Sequence, residues 1–251
     1  MRLIKFYNEY GWKQKNNTYK DAELFEDLRD CAKNYVSNCR KRINKYIPKE
    51  GTHLLDFASG PIQYKEYLQY SKNFKYRYCV DFSRDAIKSA KKKLGKKGKY
   101  YCDDFLNLKF KKNFFDCSLS IHTLYHIKKT KQKKVVEKLI RITKKNSPII
   151  IIYSNPNTLI NRIKKIFYKN NKKKKLIYFY CHPINWWYQF NSKAKIQIVT
   201  WRSFASQHQK ILFPNNFIGK IFFKIIFRLE EIFSNFFVHY FQYPIIILTK
   251  K

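Results

Sequence analysis

Acidic side chains stand at the ends of three short apolar runs in this 251-residue chain. Asp56 closes the first run, Asp81 follows the second, and Asp103 and Asp104 follow the third. A carboxylate in such a position can accept both hydroxyl groups of a ribose, and another can accept an adenine amino group. The spacing therefore predicts a site for an adenosine ligand. The alternative for any one of them is a helix cap, a role that suits Ser83 and Asp104.

A turn of small residues follows Asp56. Ala58, Ser59 and Gly60 lead through Pro61 into a helical pattern, so a strand, a tight loop and a helix N-terminus succeed one another. Such a loop lets a ligand approach the backbone closely, and the first amides of the helix favour its electronegative groups. We therefore expect this turn to bind a cofactor.

Two histidines follow the fourth apolar run, which ends at Ser120. His122 and His126 are the candidate general bases, because imidazole titrates near working pH. Tyr125, Tyr153 and catalysis by positioning alone are the alternatives. The four-residue spacing could also suggest a metal pair, but no Glu lies at position 123 and no third ligand is evident, so we predict no metal.

Strand and helix patterns alternate from residue 53 onward. The predicted strands are His53–Phe57, Arg77–Val80, Lys99–Tyr101, Phe115–Ser120 and Ile149–Tyr153, and the predicted helices are Gln63–Tyr70, Arg84–Leu94 and Lys131–Ile142. Strands separated by helices indicate βαβ units, so the sequence predicts an α/β fold with a doubly wound parallel sheet and helices on both faces. Ligands bind at the carboxyl ends of such strands, where the residues above lie.

The first 50 residues precede this alternation. Aromatic residues come early, and apolar residues from Leu24 to Cys39 then follow three-and-four spacing, which predicts a helix with one apolar face. The early aromatic residues are Phe6, Tyr7, Tyr10, Trp12 and Tyr19. They either cover a pocket or cap the core.

Taken in order, these segments resemble a class I S-adenosylmethionine-dependent methyltransferase of the type 11 kind. LLDFASGP resembles the glycine-rich first motif of that family, VDFS the second, CDDF the third, and FFDCSLSIHTLYHI the fourth. ITKKNSPIIIIYS resembles the helix, turn and strand that come next, so the resemblance covers about residues 50 to 155. It implies S-adenosylmethionine as the cofactor and in-line transfer of its methyl group to an acceptor.

The resemblance also implies which residues contact the cofactor. Asp81 would hold the ribose, Asp103 or Asp104 the adenine with Phe105 on its ring, and Asp56 would orient the loop or hold an ammonium group. The full predicted set comprises Asp56, Ala58, Ser59, Gly60, Asp81, Phe82, Asp103, Asp104, Phe105, Ser120 and His122.

The glycine-rich motif departs from the family pattern at its outer positions. Ala58 and Ile62 stand where the family usually has glycine, and Gly60 alone matches. A nicotinamide dehydrogenase is disfavoured because its GxGxxG motif is absent.

The resemblance divides the chain into three parts. Residues 1–50 form a predicted N-terminal helical cap, 51–155 the S-adenosylmethionine-binding core, and 156–251 a variable, acceptor-side region. In that last region Ile196–Thr200 and Tyr243–Leu248 are predicted as strands six and seven, which complete a Rossmann-like, mostly parallel sheet.

The acceptor-side region is rich in aromatic residues. His182, Trp186, Trp187 and Arg202 lie where the family usually builds its acceptor site. Two Trp side chains suit a sugar ring or an aromatic or lipid-linked acceptor.

An amphipathic helix is predicted within the insertion Trp201–Phe241. Its polar stripe is Lys220, Lys224, Arg228 and Glu231, and its apolar face is Ile218, Ile221, Phe222, Ile225, Leu229, Phe233 and Phe236. It could pack against the sheet edge, act as a lid or wall of an acceptor pocket, or make a peripheral membrane contact through residues 217–237.

The chain carries a formal net charge of +36, from 53 Lys and Arg against 17 Asp and Glu. Lys, Ile, Asn, Phe and Tyr all have adenine- and thymine-rich codons, so a biased genome explains this charge without nucleic acid as a partner. Lysine runs such as Lys91–Lys93 and Lys172–Lys175 suit solvated surfaces.

The sequence predicts a cytoplasmic protein. Its six cysteines form no CxxC pair, which favours a reducing compartment, and neither a signal peptide nor a run of about 18 apolar residues is present.

The predicted function is methyl transfer to oxygen or nitrogen of a small-molecule, glycan or lipid-linked acceptor. The alternatives are a methyltransferase that acts on nucleic acid and a non-catalytic cofactor-binding or membrane-associated scaffold.

Overall fold

The computed structural model describes the backbone of residues 3–167 and 177–251, and the side chains of all of these except 164–167. The lysine run at 172–175 lies outside the described residues. Seven strands form the main sheet: β1 (Gly51–Phe57), β2 (Phe74–Val80), β3 (Gly98–Tyr101), β4 (Cys117–Ile121), β5 (Pro148–Ile152), β6 (Ala194–Arg202) and β7 (Tyr243–Lys250). Their order is β3-β2-β1-β4-β5-β7-β6.

The first five strands are parallel, and β7 runs antiparallel to both β5 and β6. All seven predicted strands and the doubly wound, mostly parallel fold are thus confirmed. The strand order runs outward from β1 through β2 to β3 and then continues with β4 on the other side of β1. This reversal of strand order leaves a crevice at the carboxyl ends of β1, β2 and β4, where the candidate site lies.

Isoleucine fills both faces of the central strand β5. Ile149 and Ile151 belong to the core on one side of the sheet, and Ile150 and Ile152 to the core on the other. A parallel strand buried on both faces requires such a continuous apolar run.

Ten α-helices surround the sheet in the described part of the chain: α1 (Leu3–Phe6), α2 (Lys20–Phe25), α3 (Asp30–Arg42), α4 (Lys65–Gln69), α5 (Arg84–Leu94), α6 (Lys129–Ile142), α7 (Leu159–Phe167), α8 (Ser206–Leu212), α9 (Phe217–Ile232) and α10 (Ser234–Tyr240). Helix α5 has the predicted bounds, and the Ser83 hydroxyl caps it by accepting from the Ala86 amide at 3.3 Å. Helix α6 starts two residues earlier than predicted, and α4 is shorter.

The N-terminal segment differs from its prediction. A π-helical turn (Tyr7–Gly11) and a hairpin with strands Gln14–Lys15 and Thr18–Tyr19 precede α2. The expected helix from Leu24 to Cys39 is broken, because Glu26 adopts an extended backbone. Its carboxylate is buried against the Arg202 guanidinium at 2.9 Å, and this ion pair prevails over helical periodicity.

The insertion between β6 and β7 contains three helices where one amphipathic helix was predicted. Helix α9 ends at Ile232, so Phe233 and Phe236 lie beyond it. Among the described residues, no helix is both long and apolar enough to cross a membrane.

Helix α9 is attached to the rest of the protein by a buried carboxylate. Glu230 accepts from the Tyr35 hydroxyl at 2.6 Å, the Ser203 amide at 2.8 Å and the Arg42 guanidinium at 3.0 Å. Both Glu230 and Arg42 are buried. Each charge therefore depends on the other for compensation.

Replacing Glu230 with Ala should reduce the free energy of unfolding by about 3–5 kcal/mol, because the buried Arg42 guanidinium, the Tyr35 hydroxyl and the Ser203 amide all lose this acceptor, and Arg42 keeps only the more exposed Glu231 as its carboxylate partner. Urea denaturation measures this change. Glu231→Ala is the matched control: this neighbour pairs with Arg42 and Lys45 but is more exposed, so about 1 kcal/mol or less is expected. Equal losses in the two variants would contradict this account of how α9 is attached.

Candidate functional site

A cavity of about 380 Å³ opens at the carboxyl ends of β1, β2 and β4. Its walls come from the N-terminal segment, the turn after β1, the tips of β2 and β4, and the end of β6. The lining includes Tyr7, Trp12, Asp21, Glu26, Asp56, Ala58, Ser59, Gly60, Arg77, Asp81, Phe82, His122, Tyr125, His126, Arg202 and Tyr243. Seven of the eleven predicted cofactor residues, together with His126, thus meet in one place.

The turn after β1 takes left-handed backbone conformations at alternate residues. The φ angles are +55° at Ala58, +56° at Gly60 and +51° at Ile62. The family whose first motif this turn resembles usually has glycine at these three positions. The chain therefore adopts the turn with two side chains that disfavour it, and the β-branched Ile62 is the more strained.

Asp81 connects this turn to helix α5. One carboxylate oxygen accepts from the Gly60 amide at 2.9 Å, and the other accepts from the Ser83 amide at 2.8 Å. Burial raises the pKa of Asp81 to about 6. Each oxygen has a further lone pair, so the carboxylate can still accept a ligand hydroxyl.

Asp56 is occupied by a buried ion pair. Its Oδ2 accepts from Nε of Arg77 on β2 at 3.1 Å, and the terminal guanidinium nitrogen also bonds to it. The two side chains lie on the same face of adjacent strands. This ion pair favours the first predicted role of Asp56, which is to orient the loop, over the second, which is to hold an ammonium group.

The tip of β3 does not line the cavity. Asp103 and Asp104 are exposed and accept hydrogen bonds from their own loop, including the Leu106 amide at 2.9 Å to Asp104. Phe105 is buried in the core against Phe57, with ring centroids 4.4 Å apart. The predicted adenine contacts of these three residues remain predictions.

Two further predicted residues flank the site. Phe82 lines the cavity, 6.4 Å from the Tyr7 ring. Ser120 is fully buried on β4 and is not among the cavity-lining residues, and its hydroxyl has no partner among the described residues.

His122 sits in the cavity wall in a left-handed conformation, with φ +55°. Its Nδ1 lies 2.9 Å from the Tyr125 hydroxyl, and its ring packs edge to face on Trp201 and Tyr243. Burial and the nearby Arg202 charge hold the pKa of His122 well below its ordinary value, so the ring is neutral. Its Nε2 is buried without a hydrogen-bond partner among the described residues.

His126 lies beside Tyr125 at the cavity edge. Its Nδ1 donates to the Tyr178 carbonyl at 2.8 Å, which leaves Nε2 as an acceptor. Burial lowers the pKa of His126 to about 4, so it is also neutral at physiological pH. Both predicted bases are therefore near the cavity in their proton-accepting form.

The N-terminal segment supplies a wall of the cavity. Trp12 packs over the turn, 3.2 Å from where a Cβ on Gly60 would lie, and Tyr7 stacks on Trp12 with centroids 4.7 Å apart. For Tyr7 and Trp12, this arrangement agrees with the alternative that the early aromatic residues cover a pocket. Phe6, in contrast, is fully buried in the core.

Two carboxylates in the wall were not predicted from sequence. Asp21 accepts from the Tyr7 hydroxyl, and burial together with repulsion from Glu26 raises the pKa of Asp21 to about 7. Glu26 pairs with Arg202 at 2.9 Å and Arg40 at 3.6 Å. Neither acidic residue belongs to a motif or a clear periodic pattern, so no sequence signal marked them.

The aromatic cluster after residue 180 has a structural role. Of the predicted acceptor residues, Arg202 lines the cavity, while His182, Trp186 and Trp187 do not. Trp187 is fully buried against Tyr153, and His182 stacks on Trp186 with centroids 4.2 Å apart. The prediction that the two Trp side chains form an acceptor pocket is not supported, because both pack into the protein. Within 3–167 and 177–251, no three His, Cys, Asp or Glu side chains are arranged to hold a metal ion.

The sequence profile of a family described as Methyltransferase domain matches residues 55–151. This range holds Asp56, the turn, Asp81 and His122. Residues 55–151 are a methyltransferase domain. Over this range the match bears out the methyltransferase activity and the S-adenosylmethionine cofactor that were inferred from the sequence.

Solved methyltransferase structures share the fold. A SAM dependent methyltransferase from Archaeoglobus fulgidus is 19% identical, with a TM-score of 0.56 over 86% of this chain and 94% of that one. Phosphoethanolamine N-methyltransferase 2 from Haemonchus contortus is 15% identical, with a TM-score of 0.53 over 85% of this chain and 52% of that one. A comparison with curated protein sequences gives no match.

The strained turn of the methyltransferase domain generates a stability prediction. Ala58→Gly should raise the free energy of unfolding by about 0.5–1 kcal/mol, because relief of a left-handed alanine outweighs the added chain entropy. Thermal unfolding provides the measurement. The same substitution within helix α5, Ala86→Gly, should lower stability. A destabilised Ala58→Gly protein would show that the turn is not strained in solution.

The pKa of Asp81 generates a prediction for cofactor binding. Ribose hydroxyls donate to the ionised carboxylate, so affinity for S-adenosylmethionine should be full above pH 6 and fall by up to about tenfold per pH unit below it. Calorimetry across this range tests the direction. Asp81→Asn should cost about 1.5–3 kcal/mol at neutral pH and remove the part of the pH dependence that falls near pH 6. Asp85→Asn, at an exposed position on α5, is the control, and equal behaviour of the two variants would refute the ribose contact.

Proposed function

We propose that this chain transfers the methyl group of S-adenosylmethionine to a hydroxyl or amine on a small-molecule, glycan or lipid-linked acceptor. The observation that carries the proposal is one cavity that joins the Asp81 carboxylate to His122 Nε2, which is buried and has no hydrogen-bond partner in the part of the chain that the structure describes. Residues 51–155 would bind the cofactor, 1–50 cover it, and 156–251 face the acceptor.

The residues present fit the proposed cofactor. The left-handed turn brings backbone close to a ligand, and Asp81 retains acceptor capacity toward a ribose. Four carboxylates and two guanidinium groups line the cavity, an excess of acid that suits a sulfonium. Bound there, S-adenosylmethionine would supply an activated methyl group.

The protein's own contribution would be positioning and one proton transfer. His122 can take the acceptor proton at Nε2 if its Nδ1 donates to the Tyr125 hydroxyl, which also fixes the ring orientation. Trp12 and Tyr7 would exclude water from the reacting atoms. His126 is the second candidate for the same task.

The acceptor's charge can be inferred from the cavity wall. Glu26 is already paired with Arg202 and Arg40, whereas the ionised form of Asp21 favours a neutral or cationic group over a phosphate. A nucleic-acid acceptor is therefore disfavoured despite the charge of +36. One similar structure is an N-methyltransferase with bound phosphomonomethylethanolamine, whose amine agrees with an amine acceptor but whose phosphate does not suit Asp21. The cytoplasmic location stays a prediction.

Methyl-labelled S-adenosylmethionine added to cell extract with the purified chain tests the proposal. One acceptor species should incorporate more methyl label than it does in extract without the purified chain. No transfer, despite calorimetric binding of the cofactor, would favour the non-catalytic scaffold.

His122→Asn should lower turnover about 10²–10⁴-fold, the usual contribution of a general base. Asn tolerates the left-handed backbone at this position, so the fold and the affinity for S-adenosylmethionine should persist. His126→Asn, assayed alongside, separates the two candidates. Unchanged turnover in the His122 variant would remove it as the base.

A further inference from the structure

The apolar stripe of helix α9 faces solvent. Phe217, Ile218, Ile225 and Ile232 are 74%, 54%, 48% and 70% exposed. The opposite side of the helix packs inward through Gly219, whose lack of a Cβ lets Pro214 approach, and through Phe223 and Glu230. Of the three alternatives for this helix, packing of its apolar face against the sheet edge is therefore contradicted.

Neighbouring helices extend this surface. Ile211 on α8 is 80% exposed, and Phe233 and Phe236 near α10 are about half exposed. The rings of Phe213 and Phe222 lie 6.2 Å apart and join α8 to α9. We call the exposed apolar residues of 211–236 the α9 face. An exposed apolar surface of this extent marks an interaction site.

Cations border the α9 face along one side. Lys220, Lys224 and Arg228 are exposed and follow one another at four-residue intervals. Lys220 pairs with the Asp30 carboxylate on α3, so Lys224 and Arg228 are the two cations that the basic edge offers to a partner. The acidic residues of α9 do not oppose them, because Glu230 is buried and Glu231 pairs with Arg42 and Lys45. The surface thus combines an apolar stripe with a basic edge, on a chain of net charge +36.

We propose that the α9 face binds the surface of an anionic lipid bilayer, with α9 lying in the interface. Its isoleucine and phenylalanine side chains would enter the acyl region, while Lys224 and Arg228 extend to the anionic headgroups. The basic edge is what selects an anionic membrane over a neutral apolar partner.

Helix α8, which carries Ile211 of the α9 face, contacts a residue that lines the cavity. Phe25 is half exposed and lines the cavity, and its carbonyl accepts from the Ser206 hydroxyl at the start of α8 at 2.7 Å. Docking would therefore bring the cavity near the lipid surface, where a lipid-linked acceptor could enter. This consequence rests on the proposed function, whereas the docking itself does not.

Vesicle flotation with the full chain tests the docking. The protein should bind vesicles of phosphatidylcholine mixed with phosphatidylglycerol, bind phosphatidylcholine alone weakly, and retain part of its binding at raised salt. Ile218→Gln with Ile225→Gln should weaken binding at least tenfold. Lys224→Gln with Arg228→Gln should weaken it about five-fold per charge.

Lys88→Gln with Lys92→Gln is the matched control, because these exposed lysines share the same spacing on α5. It should change vesicle binding less than twofold, and circular dichroism should show all variants folded. If the Lys88 and Lys92 variant lost as much binding as the Lys224 and Arg228 variant, the protein would be adsorbing through its net charge alone, which would overturn the proposal. Failure to bind, or self-association in ultracentrifugation that the Ile218 and Ile225 changes abolish, would also overturn the proposal.

Discussion

A carboxylate held by two backbone amides is the constraint on which the site depends. Asp81 accepts from Gly60 in the turn after β1 and from Ser83 at the start of α5. These bonds fix the crevice between two parallel strands before any ligand arrives. Burial raises the pKa of Asp81, whereas the amide hydrogen bonds oppose this rise by stabilising the ionised form. Each carboxylate oxygen retains a lone pair for a further hydrogen bond. The left-handed conformations at Ala58 and Ile62 are tolerated because this arrangement determines the turn.

Arginine performs a different task from lysine in this basic chain. Arg42, Arg77 and Arg202 are buried in pairs with Glu230, Asp56 and Glu26, and each pair joins distant segments. A planar guanidinium can satisfy several acceptors at once, which suits it to such positions. The lysines are mostly exposed, so the large net charge describes the surface and says little about the cavity.

The sheet could be predicted from sequence because each strand is a short apolar run followed by a turn residue. Site residues at the tips of β1, β2 and β4 followed from that topology, since carboxyl ends of parallel strands converge. The tip of β3 was the exception: its aspartates bind their own loop. The N-terminal helix was misjudged for a related reason, because the partner of Glu26 is Arg202, which is remote in sequence.

Helix α9 shows what periodicity leaves undetermined. Its three-and-four spacing correctly predicts which residues share a face of the helix. It does not predict which face is buried. The choice depends on Gly219, Phe223 and Glu230, whose contacts lie in α3, in the chain just before α9 and just after β6. The sequence therefore left open whether the broad apolar stripe packs inward or lies on the surface, and the structure places it on the surface.

A crystal structure with S-adenosylhomocysteine measures the central claim most directly. The account predicts that both ribose hydroxyls lie within about 3 Å of the Asp81 carboxylate oxygens, beside the turn at Gly60. A nucleoside bound elsewhere, or a ribose turned away from Asp81, would contradict it.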